Sequence, residues 1–283
     1  MSNNSLPNTS QDSTAVKYIL ISISLIFFSL FLILPLIVVF KEALAQGVYV
    51  YIEALTSEEA LSALKLTLIV LLITLPLSTI FGVFAAWLLS KFAIKYKTIL
   101  ITLIDLPFAI SPIVVGLMYI LLFGRNGWFG EFLSNHDIKI IFALPGIVLS
   151  TLFVTMPFVA KELLAFMQTQ GKEEEEAAII LGASGWKTFW YITIPNIKWS
   201  LLYGIILCSA RSIGEFGAVS VVSGHIRNRT NTAPLHIEIL YNEYNFTGAF
   251  ALASILTIFA IITLIIKNLL EYKNSEYLSP INK

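Results

Sequence analysis

Residues 172–195 read KEEEEAAIILGASGWKTFWYITIP and join two long apolar runs. The opening residues are strong helix formers, with the apolar ones gathered at their C-terminal end. Gly182 stands where such a helix would stop in the left-handed conformation. Ser184 is placed to cap a second, aromatic helix over 185–194, with Pro195 as its stop. The stretch therefore predicts a helix, a tight turn and a short aromatic helix. So much apolar surface on a connection needs a cover. Three covers fit the residues: the protein's own helix ends, the lipid interface at Trp186 and Trp190, or a groove on a soluble partner. GASGWKT at 182–188 is not a phosphate-binding loop, because Trp186 precedes Lys187 where a glycine is required. No other nucleotide-binding pattern occurs.

Outward from this elbow the chain is a membrane protein. Of its 283 residues 57% are apolar and only 13% charged, and the mean hydropathy is +0.82. That composition excludes a disordered chain, a nucleic-acid binder and an ordinary soluble enzyme. A helix crossing hydrocarbon needs about 20 apolar residues. Six stretches qualify: 18–40, 66–90, 98–123, 141–160, 199–223 and 248–266. Lipid cannot satisfy an open strand, so these are predicted helices of an all-α polytopic protein. Ala43-Leu44-Ala45 resembles a signal cleavage site. The run before it exceeds the roughly 7–15 residues of a signal-peptide core, so the first span is expected to be retained.

Eighteen basic and eighteen acidic residues cancel, so position matters more than net charge. Lys91, Lys95 and Lys97 flank one connection, and Lys161, Lys172, Lys187 and Lys198 lie in the connection 161–198 that contains the elbow. Lys17, Lys267, Lys273 and Lys283 lie near the termini. The opposite side carries fewer: Lys41, Lys65, Arg125, Lys139, Arg227 and Arg229. The bias predicts both termini and the elbow in the cytoplasm. Residues 1–17 form an expected disordered cytoplasmic tail, 18–63 a first transmembrane helix and outer loop, 64–270 the main membrane-embedded unit with the elbow at 173–195, and 271–283 a second cytoplasmic tail.

Charges at membrane depth cost several kcal/mol unless paired or watered. Arg211 and Glu215 lie one turn apart in the fifth span and can neutralise each other. Two readings stay open for them. They either lock helices together, or Arg211 offers a fork to an anion in transit, tempered by Glu215. Ser212 and other small residues nearby suit either close helix contact or solvation of an oxyanion. Asp105 precedes Pro107 and Pro112, which remove backbone donors. It is expected to cap freed amides or to pair with a basic residue of another helix, in a structural or gating role. His136, His225 and His236 fall in predicted outer loops without metal-ligand spacing. Arg227, Arg229 and His225 form an outer basic group that is either a docking site or a solvated loop. The lone Cys208 excludes an internal disulfide. No catalytic constellation and no metal site emerge.

Glu176-Ala177-Ala178, three residues, Gly182, nine residues, and Ile192-Thr193-Ile194-Pro195 resemble the EAA loop of ABC importer permeases, with Ile194 where the family has Leu. Residues 210–224, ARSIGEFGAVSVVSG, resemble the oxyanion importer permeases. TLIDLPFAISP at 102–112, GRNGW at 124–128, GHIR at 224–227 and PLHIE at 234–238 are most similar to the W-type permeases of sulfate/thiosulfate importers. The resemblance covers roughly residues 18–272. It implies a type I importer permease fold in the bacterial cytoplasmic (inner) membrane. It also implies Glu176, Ala177, Ala178, Gly182, Ile192 and Pro195 as ATPase-coupling positions. The implied partners are a homologous second permease, two copies of a cytoplasmic ABC ATPase and an extracytoplasmic sulfate- or thiosulfate-binding protein, around a lipid-embedded chain that binds no nucleic acid. ATP and Mg would sit on the ATPase, and this chain would hold no cofactor. The expected function is uptake of sulfate or thiosulfate by alternating access, with molybdate or tungstate as the alternative cargo. A proton-coupled secondary anion transporter is a weaker alternative, because it needs no coupling loop.

Overall fold

The computed structural model describes the backbone of residues 14–278 and the side chains of residues 16–270, and over that range every regular element is helical. α1 (Thr14–Phe28), a π-helical turn (Ser29–Ile33) and α2 (Leu34–Ala43) make one long apolar helix. In the most apolar stretch of this helix no residue is buried by the rest of the chain, so its flank suits lipid. α3 (Val48–Thr56) is short. α4 (Glu58–Lys91) starts at Ser57, whose side chain accepts from the Ala60 amide. Beyond it come α5 (Lys97–Ala109), α6 (Pro112–Phe123), α7 (Gly130–Asn135) and α8 (Leu144–Gln170). The elbow holds α9 (Glu173–Ile180) and α10 (Gly185–Thr188), which runs through a π turn (Phe189–Thr193) into α11 (Ile194–Ile213). α12 (Gly217–Ser223), α13 (Ala233–Asn242) and α14 (Phe246–Leu278) complete the chain. Among the described residues five helices are long and apolar enough to cross a membrane, or six if the bent pair α5–α6 counts as one span.

α4, α8 and α11 form the centre. Small and hydroxylated residues let them approach closely. A Cβ on Gly82 of α4 would lie 2.6 Å from Val159 Cγ1 and 2.9 Å from the Ala160 amide nitrogen of α8. Thr74 and Ser212 bond across α4 and α11 at 3.1 Å, and Ser78 meets Thr155 across α4 and α8 at 3.5 Å. Around them Leu89, Leu163, Met167, Phe189 and Ile197 build the main apolar cluster.

Several expectations change. The third span is not one helix: α5 and α6 meet at 104°. Pro112 opens α6, and α12 packs on the far limb, where a Cβ on Gly116 would lie 2.6 Å from Val221 Cβ. The fifth span stops at Ile213 rather than running to 223, and 217–223 form the separate α12. The fourth helix runs on to Gln170, which places Lys161 inside it. Pro195 does not end the aromatic helix. The preceding π turn widens the helix, and Ile194 N–H reaches back to the Phe189 carbonyl. The proline ring, which would clash with the carbonyl four residues earlier, is thereby accommodated. Pro35 follows the π turn of the first helix at the same spacing. At the termini, α1 begins at Thr14 and α14 continues to Leu278, so helix enters both expected tails. The remaining tail residues, 1–13 and 279–283, lie outside the described residues.

Candidate functional site

The elbow is built as its sequence chemistry requires. α9 ends at a two-bond cap: the Gly182 amide donates to Ile179 O and the Ala183 amide to Ala178 O, both at 2.9 Å. Gly182 sits at φ +90°, the left-handed conformation this cap demands. Ser184 then accepts from the Lys187 amide to start α10. Phe189 is buried, with its ring 4.6 Å from Trp87 of α4 and stacked on Trp186 at 5.5 Å. The protein's own helix ends thus cover Phe189 and Thr188. They leave Ile180, Leu181 and Tyr191 bare; Leu181 is 88% exposed. Trp186 and Trp190 are also exposed. Glu176, Ala177, Gly182 and Pro195 are exposed, while Ala178 and Ile192 are half-buried.

The membrane charges are paired. Arg211 Nη1 lies 2.6 Å from Glu215 Oε2. Glu215 lies beyond the end of α11, in the short link to α12, and its Oε1 accepts from the Ala218 amide at 2.9 Å. One carboxylate therefore pairs the arginine and caps the next helix. Its side chain is 1% exposed, whereas that of Arg211 is 32% exposed. The guanidinium keeps an open side. Ser212 is buried against α4 through Thr74, so it belongs to helix packing in this structure. Asp105 pairs with another helix: its Oδ1 is 3.0 Å from Lys161 Nζ of α8, with Phe108 of α5 beneath the ammonium at 5.1 Å. Lys161 lies roughly 13 Å from the C-terminal end of α8, at about 1.5 Å per residue. Both side chains stay more than a third exposed. Sequence reading counted Lys161 as a loop charge, because nothing local marks a lysine whose partner lies on a distant helix.

On the opposite end, Arg227 is a strut. Nη1 contacts both Glu59 carboxylate oxygens at 3.1 and 3.0 Å, and Nη2 pairs with Glu243. It joins the loop after α12 to the start of α4 and the end of α13. His225 and Arg229 remain exposed beside it. His236 is not in a loop: it lies on α13, buried, with Nδ1 3.3 Å from Asn231 Nδ2. Burial pushes its pKa below the usual value; Glu59 and Glu243 pull it upward and Arg227 pushes it down. The unfolded chain therefore binds a proton first. Stability from neutral His236 is present above about pH 6.5 and is lost as pH falls from there through the lower folded-state pKa. The midpoint of thermal unfolding should drop between pH 7.5 and pH 5.5, and His236→Gln should shrink that drop.

The matched family is described as "Binding-protein-dependent transport system inner membrane component", and the match runs over residues 78–276. The sulfate transport system permease protein CysW of Synechocystis is 46% identical over 262 residues, covering 93% of this chain and 95% of that protein. The CysW protein of Escherichia coli K12 is 47% identical, with 91% and 88% covered. The sulfate transport system permease protein CysT of the same bacterium is 34% identical, with 88% and 90% covered. Among solved structures, a chain of a bacterial alginate ABC transporter, in complex with an alginate-bound periplasmic protein, superposes with TM-score 0.72 at 19% identity, covering 91% of this chain and 93% of that one. The fold is thus that of ABC importer permeases. With at least five apolar helices long enough to cross a membrane and relatedness along nearly its whole length, this chain is a member of the family of inner membrane components of binding-protein-dependent transport systems.

Proposed function

We propose that this chain is one permease subunit of an ATP-driven sulfate importer. The identity to sulfate permeases of both kinds, extending over most of the chain, supports the cargo. The observation that carries the mechanism is the elbow: Ile180, Leu181 and Tyr191 are exposed apolar side chains that the described residues leave uncovered. An apolar surface of this kind fits a groove on a soluble partner. In this reading the groove belongs to a cytoplasmic ATPase, present in two copies, which holds ATP and Mg. A second, homologous permease and an extracytoplasmic binding protein complete the complex. Both termini face the cytoplasm.

Glu176, Ala177, Ala178, Gly182, Ile192 and Pro195 then shape the coupling elbow. Arg211 lines the pathway. Its charge is partly balanced by Glu215, which suits an anion that must enter and also leave. The Asp105–Lys161 pair is partly exposed at depth, where lipid is a poor neighbour for charge. It would face the second permease or the aqueous path. Binding of ATP moves the elbows, and the membrane helices exchange the side to which the path is open. Isolation of the tagged chain from membranes tests this reading. An ATPase and a second permease in the eluate, with sulfate uptake that requires ATP, support it. A chain that purifies alone and moves sulfate without ATP overturns it.

A further inference from the structure

We propose that Lys91 and Glu175 are positioning residues that carry the displacement of α9 directly into α4. The inference rests on the coupling reading above and adds the route inside this chain. α9 is poorly held by its own surroundings: it has no buried residue, and four glutamates fill its first turn. Along the backbone it is bounded by glycines in positive-φ conformations, Gly171 at +80° and Gly182 at +90°. Neither glycine meets any atom where a Cβ would stand, so both joints are open. Packing therefore braces neither joint, and the Gly182 turn is held by its two capping bonds alone.

Two carboxylates bypass the joints: Glu174 accepts from the Asn196 side chain of α11, and Glu175 alone reaches α4. Glu175 Oε2 lies 2.9 Å from Nζ of Lys91, the last residue of α4, and the two side chains are only 13% and 8% exposed. The same ammonium donates to the Gly171 carbonyl at the end of α8. Glu175 Oε1 accepts from Thr193 Oγ1 at 3.2 Å, where the buried Thr193 closes the π turn leading into α11. Trp87 and Phe189 wall the adjoining cavity. The carboxylate thus gathers the ends of α4 and α8 and the start of α11 around one point on α9. Its strongest, charged contact is to α4, which is not joined to α9 by any short connection. α4 bears Thr74, bonded to Ser212, so a pull on Lys91 acts on the helix that is bonded to the residue next to Arg211.

The test uses the whole complex in proteoliposomes, reading sulfate uptake and ATP hydrolysis together. Lys91→Met should lower uptake at least tenfold while hydrolysis stays within about twofold of wild type. Lys91→Arg should restore most uptake, and Lys91→Glu with Glu175→Lys should recover a measurable part of it. A Lys91→Met complex with wild-type uptake per ATP overturns the proposal. If Lys91→Met fails to assemble, the exchanged pair decides: assembly with coupled uptake supports the proposal, and assembly without it, or no assembly, overturns it. Failure of the coupling reading itself looks different, because the unaltered complex would then move sulfate independently of hydrolysis.

Discussion

Gly182→Val abolishes coupled uptake, by at least tenfold, in a chain that still inserts into the membrane. No atom crowds the site, since nothing lies within 4 Å of a Cβ built there. The effect comes from the backbone alone. At φ +90° a β-branched residue is strained, at a cost of order 1–3 kcal/mol. The chain relieves that strain by leaving the left-handed conformation. Both capping bonds, from the Gly182 and Ala183 amides, are then lost, and the bare Ile180–Leu181 end of α9 swings out of register with α10. Gly182→Asn, which tolerates the left-handed region better, should keep an intermediate uptake. Uptake into cells, with recovery of the ATPase on the tagged chain, checks both variants. Wild-type uptake by the valine variant contradicts the role given to the turn.

The second large effect is at Arg211. Arg211→Met strands a carboxylate that is 1% exposed in the membrane interior, and breaking such a pair costs about 3–5 kcal/mol. Assembly and uptake should both fall. Adding Glu215→Gln removes the stranded charge, while its amide oxygen can still accept from the Ala218 amide. The double variant should assemble close to wild-type levels and still lack uptake, because the open guanidinium is gone. Recovered uptake in the double variant would show that the pair serves packing alone. Complex yield by size-exclusion chromatography and uptake of labelled sulfate separate the two.

How much of this was legible depended on the distance over which each feature is encoded. The turn at Gly182 and the cap at Ser184 are local chemistry, readable from a few neighbouring residues. The Arg211–Glu215 pair is spaced by four residues and was equally visible. The break of the third span had a local sign in Pro107 and Pro112, but its 104° bend is set by α12 packing on α6. Pro195 misled, because a proline can stop a helix or sit behind a π turn, and the buried anchor Phe189 selects the second. The stop of α11 at Ile213 was hidden because residues 214–223 are mostly small and uncharged, with Glu215 readable as a partner of Arg211 on the same helix. Lys91–Glu175 and Lys161–Asp105 join separate helices. Lys91, Glu175 and Lys161 each look like an ordinary surface charge until the fold brings its partner within 3 Å, whereas Asp105 was already marked by its place in an apolar span.

The side on which the elbow lies decides between this mechanism and any other. A single cysteine at Leu181, with the buried Cys208 replaced by serine, gives a direct reading with a membrane-impermeant maleimide. The account predicts no labelling in intact cells, full labelling after permeabilisation, and protection when the ATPase is co-assembled. Labelling of Leu181→Cys in intact cells would place the elbow outside the cytoplasm and contradict it.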